Sequence, residues 1–279
     1  MYKIISDSSC DMVEYTGIDF TSVPLSISTG EKTYIDDRAI DVHDMLDYLA
    51  EYKGRSYTAC PSVNAWLSAF GDAEEIYVCT MTSGLSGTFN SASIAMGIYL
   101  EGHPDAKIHV FDSLSTGPEL RLHIEKVIEL KEQGKSFEEI VAYMPEYIKS
   151  TRLFFSFFSL HNFAQNGRVN KVLASAIGML GISVLGTASE EGTVESIGKC
   201  RGDKKAVFGL LNEVVKCGCI GGKIRICHVE NEKLAARLVK ALTVTFPDAD
   251  IKCYPAKGIC SYYGERGGLI VGCETEGVS

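Results

Sequence analysis

The chain has 279 residues, with 27 Lys and Arg against 36 Asp and Glu and a net charge of -9 at neutral pH. Its basic residues form no run longer than Lys204-Lys205, and an acidic chain without a cationic stripe argues against nucleic acid as a partner. Hydrophobic residues make up 46% of the sequence, ample for buried cores, yet no apolar run approaches the roughly 20 residues of a spanning helix, and the length suits two ordinary domains.

Met1 to Ser6 runs into Asp7 without the apolar core of a signal peptide, so a cytoplasmic protein is expected. Lys3 to Ser6 reads as a short strand that delivers Asp7-Ser8-Ser9-Cys10-Asp11 at its C-terminal end, where open α/β sheets carry ligand-facing loops. Asp7, Ser8 and Asp11 either cap a turn and a helix or face a shared cleft; the composition fits both. Phe20 to Ser28 alternates as a second strand, and Asp41 caps a helix with Met45, Leu46, Leu49 and Tyr52 on one face. In Thr58-Ala59-Cys60-Pro61-Ser62, Pro61 biases Cys60 toward extended backbone, and Ser62 caps a short helix with Trp66, Leu67 and Phe70.

The stretch Thr80 to Thr88, Thr-Met-Thr-Ser-Gly-Leu-Ser-Gly-Thr, joins a β-branched and aromatic strand (Glu75 to Met81) to a helix with Phe89, Ala92, Ala95, Met96 and Tyr99 inward. Gly84 and Gly87 let backbone approach a ligand, and the hydroxyls of Thr82, Ser83, Ser86 and Thr88 surround a helix N-terminus whose first amides lack internal partners, a setting that attracts an anion. Lys107 to Asp112 is the next strand, with a third hydroxyl-rich exit through Ser113-Leu114-Ser115-Thr116-Gly117. A helix with Leu120, Ile124, Val127 and Ile128 follows, and Ser136 with Glu139 makes a capping box for a helix that Met144-Pro145 kinks or ends early.

Strand and helix alternate up to this point, as in parallel βαβ units. The texture changes near Thr151, so domains of residues 1–149 and 150–279 are expected, both α/β. Leu153 to Phe158 is an aromatic strand leading through His161-Asn162-Phe163 to Asn166-Gly167-Arg168. Strands recur at Thr193 to Lys199 and Lys223 to Val229, helices at Asp203 to Lys216 and Asn231 to Leu242, and the stretch from Gly258 to Gly268 reads as a glycine-rich loop between strands. The ten cysteines include no CxxC pair; they read as reduced core thiols, with no metal site expected. His161 and His228 read as structural.

In order along the chain, Asp7-Ser8-Ser9-Cys10-Asp11, Thr58-Ala59-Cys60-Pro61-Ser62, Ser83-Gly84-Leu85-Ser86-Gly87-Thr88, Asp112-Ser113, Asn166-Gly167-Arg168 and Arg201-Gly202-Asp203-Lys204-Lys205-Ala206 together resemble the DegV family, the bacterial fatty-acid-binding proteins that include the fatty-acid-carrying subunit of fatty acid kinase. The resemblance implies two α/β domains with a lipid between them and no catalysis or cofactor of the chain's own. It implies a lipid carboxylate held by Thr58, Ser83, Ser86 and Gly87, supported by Arg168, Tyr262, Asp7 and Ser8, and an acyl chain in a tunnel inside the C-terminal domain. It also implies a partner kinase subunit that supplies ATP. The chain departs from the family pattern where Tyr262 stands for a histidine and where Ala59 and Cys60 replace polar residues; a tyrosine cannot carry the imidazole's charge at neutral pH, which bears on phosphorylation of the lipid. The tunnel is sought among Phe154, Phe155, Phe157 and Phe158 and among Ile177, Met179, Leu180 and Ile182; on an alternating strand only one of the pairs Phe154/Phe158 and Phe155/Phe157 faces a given side. Two other readings remain open: a serine-dependent acyl or phosphoryl transfer enzyme using Ser86 or Ser83, for which no GxSxG elbow or evident His/Asp pair appears, and a small anion-binding module without a tunnel.

Overall fold

A computed structural model describes residues 2–169 and 181–276. Four short apolar strands, β1 (Tyr2–Asp7), β2 (Phe20–Val23), β6 (Glu75–Thr80) and β7 (Lys107–Asp112), form a parallel sheet in the order β2-β1-β6-β7. The strand expected over Phe20 to Ser28 is split in two, with Pro24, which has no amide to donate, between the pieces. The second piece, β3 (Ser26–Ser28), joins β4 (Thr33–Ile35) and β5 (Tyr57–Ala59) in a small antiparallel sheet that aligns Ile27 with Thr58.

The third sheet comprises β8 (Thr151–Phe157), β9 (Ile182–Ala188), β10 (Val194–Arg201), β11 (Cys219–His228), β12 (Asp250–Pro255) and β13 (Leu269–Thr275), in the order β10-β9-β8-β13-β11-β12. It is antiparallel except where β11 runs parallel to β12.

The helices are α1 (Val42–Glu51), α2 (Val63–Phe70), α3 (Thr88–Gly102), α4 (Gly117–Glu132), α5 (Phe137–Lys149), α6 (His161–Gln165), α7 (Asp203–Lys216), α8 (Glu232–Thr245) and α9 (Gly258–Gly264). Asp41 and Ser62 accept from the amides of Asp44 and Ala65, and Ser136 and Glu139 close the capping box. Of the two expected outcomes at Met144-Pro145, a kink or an early end, the early end does not occur: helix α5 continues through Pro145 to Lys149, and burial of Met144 and Tyr147 on either side of the proline holds the turn. The stretch expected as a glycine-rich loop is α9, whose first amides, Gly258 and Ile259, donate to Asp36 at 2.7 and 2.9 Å, while Lys257 donates to Asp11 at 2.7 Å.

Helix α4 sits between the parallel sheet and the six-stranded one. Leu120 and Ile124 share a core with Tyr77 and Phe111 on one side and Leu153 and Ile270 on the other. A Cβ on Gly272 of β13 would lie 2.6 Å from the amide nitrogen of Glu119, so glycine sets how closely α4 approaches the sheet. The β9–β10 turn reaches across to the loops after β6 and β7. Gly192 (φ +71°) has no room for a Cβ, which would stand 2.0 Å from Thr82 Oγ1 and 2.7 Å from the Leu114 carbonyl oxygen.

Candidate functional site

Between the sheets lies a cavity of about 250 Å³. Leu153, Phe155 and Phe157, alternate residues of β8, form one wall with Ile270 and Ile259, and Leu25, Met81 and Leu85 from the first half of the chain form the other. Phe154 points to the opposite face of β8, into the core beneath α7 and α8. Phe158 and Ile182 do not line the cavity, and Ile177, Met179 and Leu180 lie outside the described residues. The apolar space thus draws on both halves of the chain and is not confined to residues 150–279.

At the end of β8 that carries Phe157, polar groups converge. Thr58 on β5 places its hydroxyl 2.8 Å from that of Tyr263 on α9, and Phe163 of α6 packs on the Tyr263 ring at 4.5 Å. Burial raises the pKa of the Tyr263 hydroxyl, and the bond with Thr58 opposes it; it stays a neutral donor at physiological pH. Ser86 and Gly87 line the same wall just before α3, whose N-cap position, Gly87, offers no side chain to the first turn. The Ser86 hydroxyl lies 2.7 Å from that of Thr88. Arg168 is positioned by the end of α6, where Gly167 takes a left-handed φ of +74° and turns the chain so that the Arg168 amide donates to the Phe163 carbonyl at 2.8 Å. Its guanidinium donates through Nε to the Leu85 carbonyl at 3.1 Å and through Nη1 to that of Asn166. No carboxylate among the described residues pairs with it.

Of the residues singled out in the sequence, Thr58, Ser86, Gly87 and Arg168 line this cavity. The other four stand elsewhere, each for a visible reason. Asp7 is fully buried and accepts from the amides of Ser9 at 3.0 Å and Met81 at 2.6 Å, pinning the end of β6 to the end of β1. Ser8 accepts from the Leu25 amide at 3.0 Å, so both residues cap and tie loops. Ser83 is exposed, its amide on Asp112 at 3.0 Å. Tyr262, with no exposed surface, turns away from the cavity, its hydroxyl 2.8 Å from that of Ser56 and accepting from Asn166 at 2.9 Å. Tyr263, its neighbour, is the residue that sequence reading missed.

Ser115 and Thr116, from the third hydroxyl-rich exit, also line the wall. Ser115 donates to Glu119, which also accepts from Thr151 at 2.6 Å, and Thr151 lies 2.8 Å from Nε2 of the buried His123. Burial lifts the Glu119 carboxyl to about 7 against the opposing hydroxyl bonds, and burial lowers His123 to about 3. Because the folded chain holds the Glu119 proton more tightly than the unfolded one, its stabilising share is complete below the unfolded pKa of 4.5 and is lost as pH rises through about 7. Glu119→Gln should therefore flatten the fall in the urea midpoint between pH 5 and 8, by on the order of 3 kcal/mol in stability. Asp11 and Asp36, raised by burial to about 7 and about 6, act in the same sense and leave a remaining slope. An unchanged slope would contradict this assignment.

The described wall carries no histidine and no carboxylate that could serve Ser86 as a base. Among the described residues, no group of three or more His, Cys, Asp or Glu could hold a metal ion, and no helix is long and apolar enough to cross a membrane. What the geometry offers is a greasy cavity with hydroxyl, amide and guanidinium donors at one end.

Three comparisons with known proteins bear on this arrangement. The family model described as an uncharacterised protein of the DegV family matches residues 1–271. A DegV domain-containing protein of Streptococcus pneumoniae is 42% identical over 279 residues, covering 99% of both chains. Among solved structures, a DegV family protein from Eubacterium eligens loaded with heptadecanoic acid superposes with a TM-score of 0.97 at 53% identity, covering 99% of this chain and 100% of that one. The Streptococcus pneumoniae fatty acid kinase (Fak) B3 protein loaded with linoleic acid does so with a TM-score of 0.96 at 42% identity and the same coverage. With its fold and nearly its whole length matched in this way, the chain belongs to the DegV family.

Proposed function

We propose that this protein is a non-catalytic carrier of a long-chain fatty acid. Residues 1–149 supply the hydroxyl-rich turns and residues 150–279 supply β8, α6 and α9. The carboxylate sits among the hydroxyls of Thr58, Tyr263 and Ser86, the backbone at Gly87 and the Arg168 guanidinium, and the acyl chain runs along Phe157, Phe155 and Leu153. The observation that carries this reading is the cavity itself, apolar along its length and furnished with donors at one end. A carboxylate drawn out of water needs several donors, and charge-assisted bonds are the strong kind. The chain supplies most of the affinity: a dozen buried methylenes at about 0.8 kcal/mol each contribute roughly 10 kcal/mol before ordering costs. The fatty acids in the Eubacterium eligens and Streptococcus pneumoniae neighbours support the ligand class.

The bound carboxylate is presented to a kinase subunit that brings ATP, a role supported by the name of the Streptococcus pneumoniae neighbour. Tyr262 cannot stand in for a charged histidine there, and Tyr263 is the hydroxyl that faces the lipid. The carrier acts in the cytoplasm, consistent with its ten free cysteines.

Arg168→Ala tests the head-group assignment. Loss of a charge-assisted bond worth about 1.5–3 kcal/mol should weaken binding of radiolabelled palmitate about 10- to 150-fold in equilibrium dialysis. Palmitate methyl ester should bind the native chain and the variant alike. Equal affinity of the variant for the free acid would contradict the assignment. Ser86→Ala separates a carrier from a serine enzyme: the carrier loses affinity, whereas an enzyme would lose turnover on an ester or acyl phosphate.

A further inference from the structure

Three of the ten cysteines meet at one place, on the far side of the six-stranded sheet from the cavity. Cys217 is the C-cap of α7, Cys219 begins β11, and Cys273 lies in β13. Gly218, between the first two, has a φ of +76°, a bend open to glycine that turns the chain from α7 into β11. The Cys217 and Cys273 sulfurs are 3.8 Å apart. Cys217 donates its proton to the Val214 carbonyl at 3.1 Å, which leaves Cys273 as the donor between these two sulfurs. Cys273 is fully buried among Leu210, Val214 and Leu242, while Cys217 and Cys219 are half-buried and reachable from solvent.

We propose that Cys217, Cys219 and Cys273 form a peroxide-reactive thiol site in which Cys273 closes a reversible disulfide with Cys217, and Cys219 is the alternative partner. A disulfide needs sulfurs at about 2.05 Å, so the pair is short of bonding distance by less than the ~2 Å that a side-chain rotation covers. The electrostatics favour the chemistry. The contact with Cys273 lowers the Cys217 thiol from its ordinary value against burial, and Cys219 is lowered through the same neighbour. Cys273 has one proton and serves one neighbour at a time. Its own pKa is pushed well above the ordinary value by those two neighbours and by burial, so it waits as the thiol that resolves.

In the reaction, a half-exposed thiolate attacks one oxygen of hydrogen peroxide. The O–O bond breaks, hydroxide leaves and takes up the proton the thiol had released, and a sulfenic acid remains. The Cys273 sulfur then attacks that sulfur, the S–S bond forms, and the sulfenic oxygen departs as water with the Cys273 proton. Two thiols are oxidised and one peroxide is reduced to two waters. A thiol such as dithiothreitol reverses the bond by exchange.

Cys60 and Cys253 serve as internal controls, because both are free and exposed. The full chain is treated with stoichiometric hydrogen peroxide at pH 6 and pH 8, alkylated, and mapped by trypsin and mass spectrometry. The expected product has two fewer alkylatable thiols, a link between the peptide Cys217–Lys223 and the peptide Gly267–Ser279, faster formation at pH 8, and full reversal by dithiothreitol. Cys217→Ser should divert the link to Cys219, and Cys273→Ala should abolish it and leave sulfenic acid trappable by dimedone. Recovery of both peptides alkylated and unlinked, with oxidation confined to Cys60 and Cys253, would overturn the proposal whether or not the Cys273 variant folds.

Discussion

Ala188→Trp is expected to abolish uptake of long-chain fatty acids while leaving the chain folded. Ala188 ends β9, pairs with Val194 of β10, and lines the cavity with Leu153 and Phe155. An indole there takes the room of several methylenes. If six are displaced, the loss is about 5 kcal/mol, or more than a thousandfold in affinity. The side chain is added into space at a strand end and not into a packed core, so the urea midpoint of the ligand-free chain should move by less than about 1.5 kcal/mol in stability. Isothermal titration with palmitate, beside urea unfolding of the same preparation, separates lost binding from lost folding. Native affinity in a folded Ala188→Trp chain would show that the acyl chain runs elsewhere.

The second large effect concerns stability. Arg225 in β11 has no exposed surface, yet it carries a full charge. Its guanidinium meets Glu125 of α4 through Nε at 2.9 Å and Nη2 at 2.6 Å, Asp250 through Nη2 at 2.6 Å, and the backbone carbonyls of Ile224 and Asp250 through Nη1. This fork holds α4 against the edge of the six-stranded sheet. Arg225→Met leaves the Glu125 carboxylate buried with only Arg121, at 3.2 Å, beside it. Breaking a buried pair costs about 3–5 kcal/mol, and the remaining Arg121 contact places the expected loss near the lower figure. Arg225→Met with Glu125→Leu removes both charges and should recover most of that loss, because the cost lies in the stranded carboxylate. Urea midpoints of the two single variants and the double variant close the cycle. A double variant no more stable than Arg225→Met alone would show that packing, and not charge, holds α4 in place.

Much of the site was legible because its residues sit at turns whose chemistry is local. Ser86 and Arg168 lie beside glycines that fix the backbone, Thr58 lies on β5 three residues before Pro61, and their order along the chain carried the family resemblance. What could not be read was which of two adjacent tyrosines faces the cavity. The stretch around Tyr262 and Tyr263 is rich in glycine and reads as a loop, but Asp36 and Asp11 hold its first amides and make it helical. Both acids are more than 200 positions away in sequence. Neighbours on a helix diverge by about 100°, so Tyr262 turns to Ser56 and Asn166 while Tyr263 turns to Thr58. Asp7 was ambiguous for a related reason. A carboxylate after a strand serves equally as a cap or as a ligand group, and only its burial against the Met81 amide decides between them. The tunnel was sought within the second half because Leu153 to Phe158 is so aromatic, and Ile177, Met179 and Leu180, sought with it, lie outside the described residues; the cavity's opposite wall, Leu25, Met81 and Leu85, is scattered through the first half and bears no local mark.

The most direct test of the carrier assignment is denaturing extraction of the purified chain followed by mass spectrometry of what is released. A carrier should release a C14 to C18 fatty acid at close to one per chain, lost from Ala188→Trp and reduced in Arg168→Ala. A folded native chain that releases no lipid and takes up none when palmitate is added would contradict it.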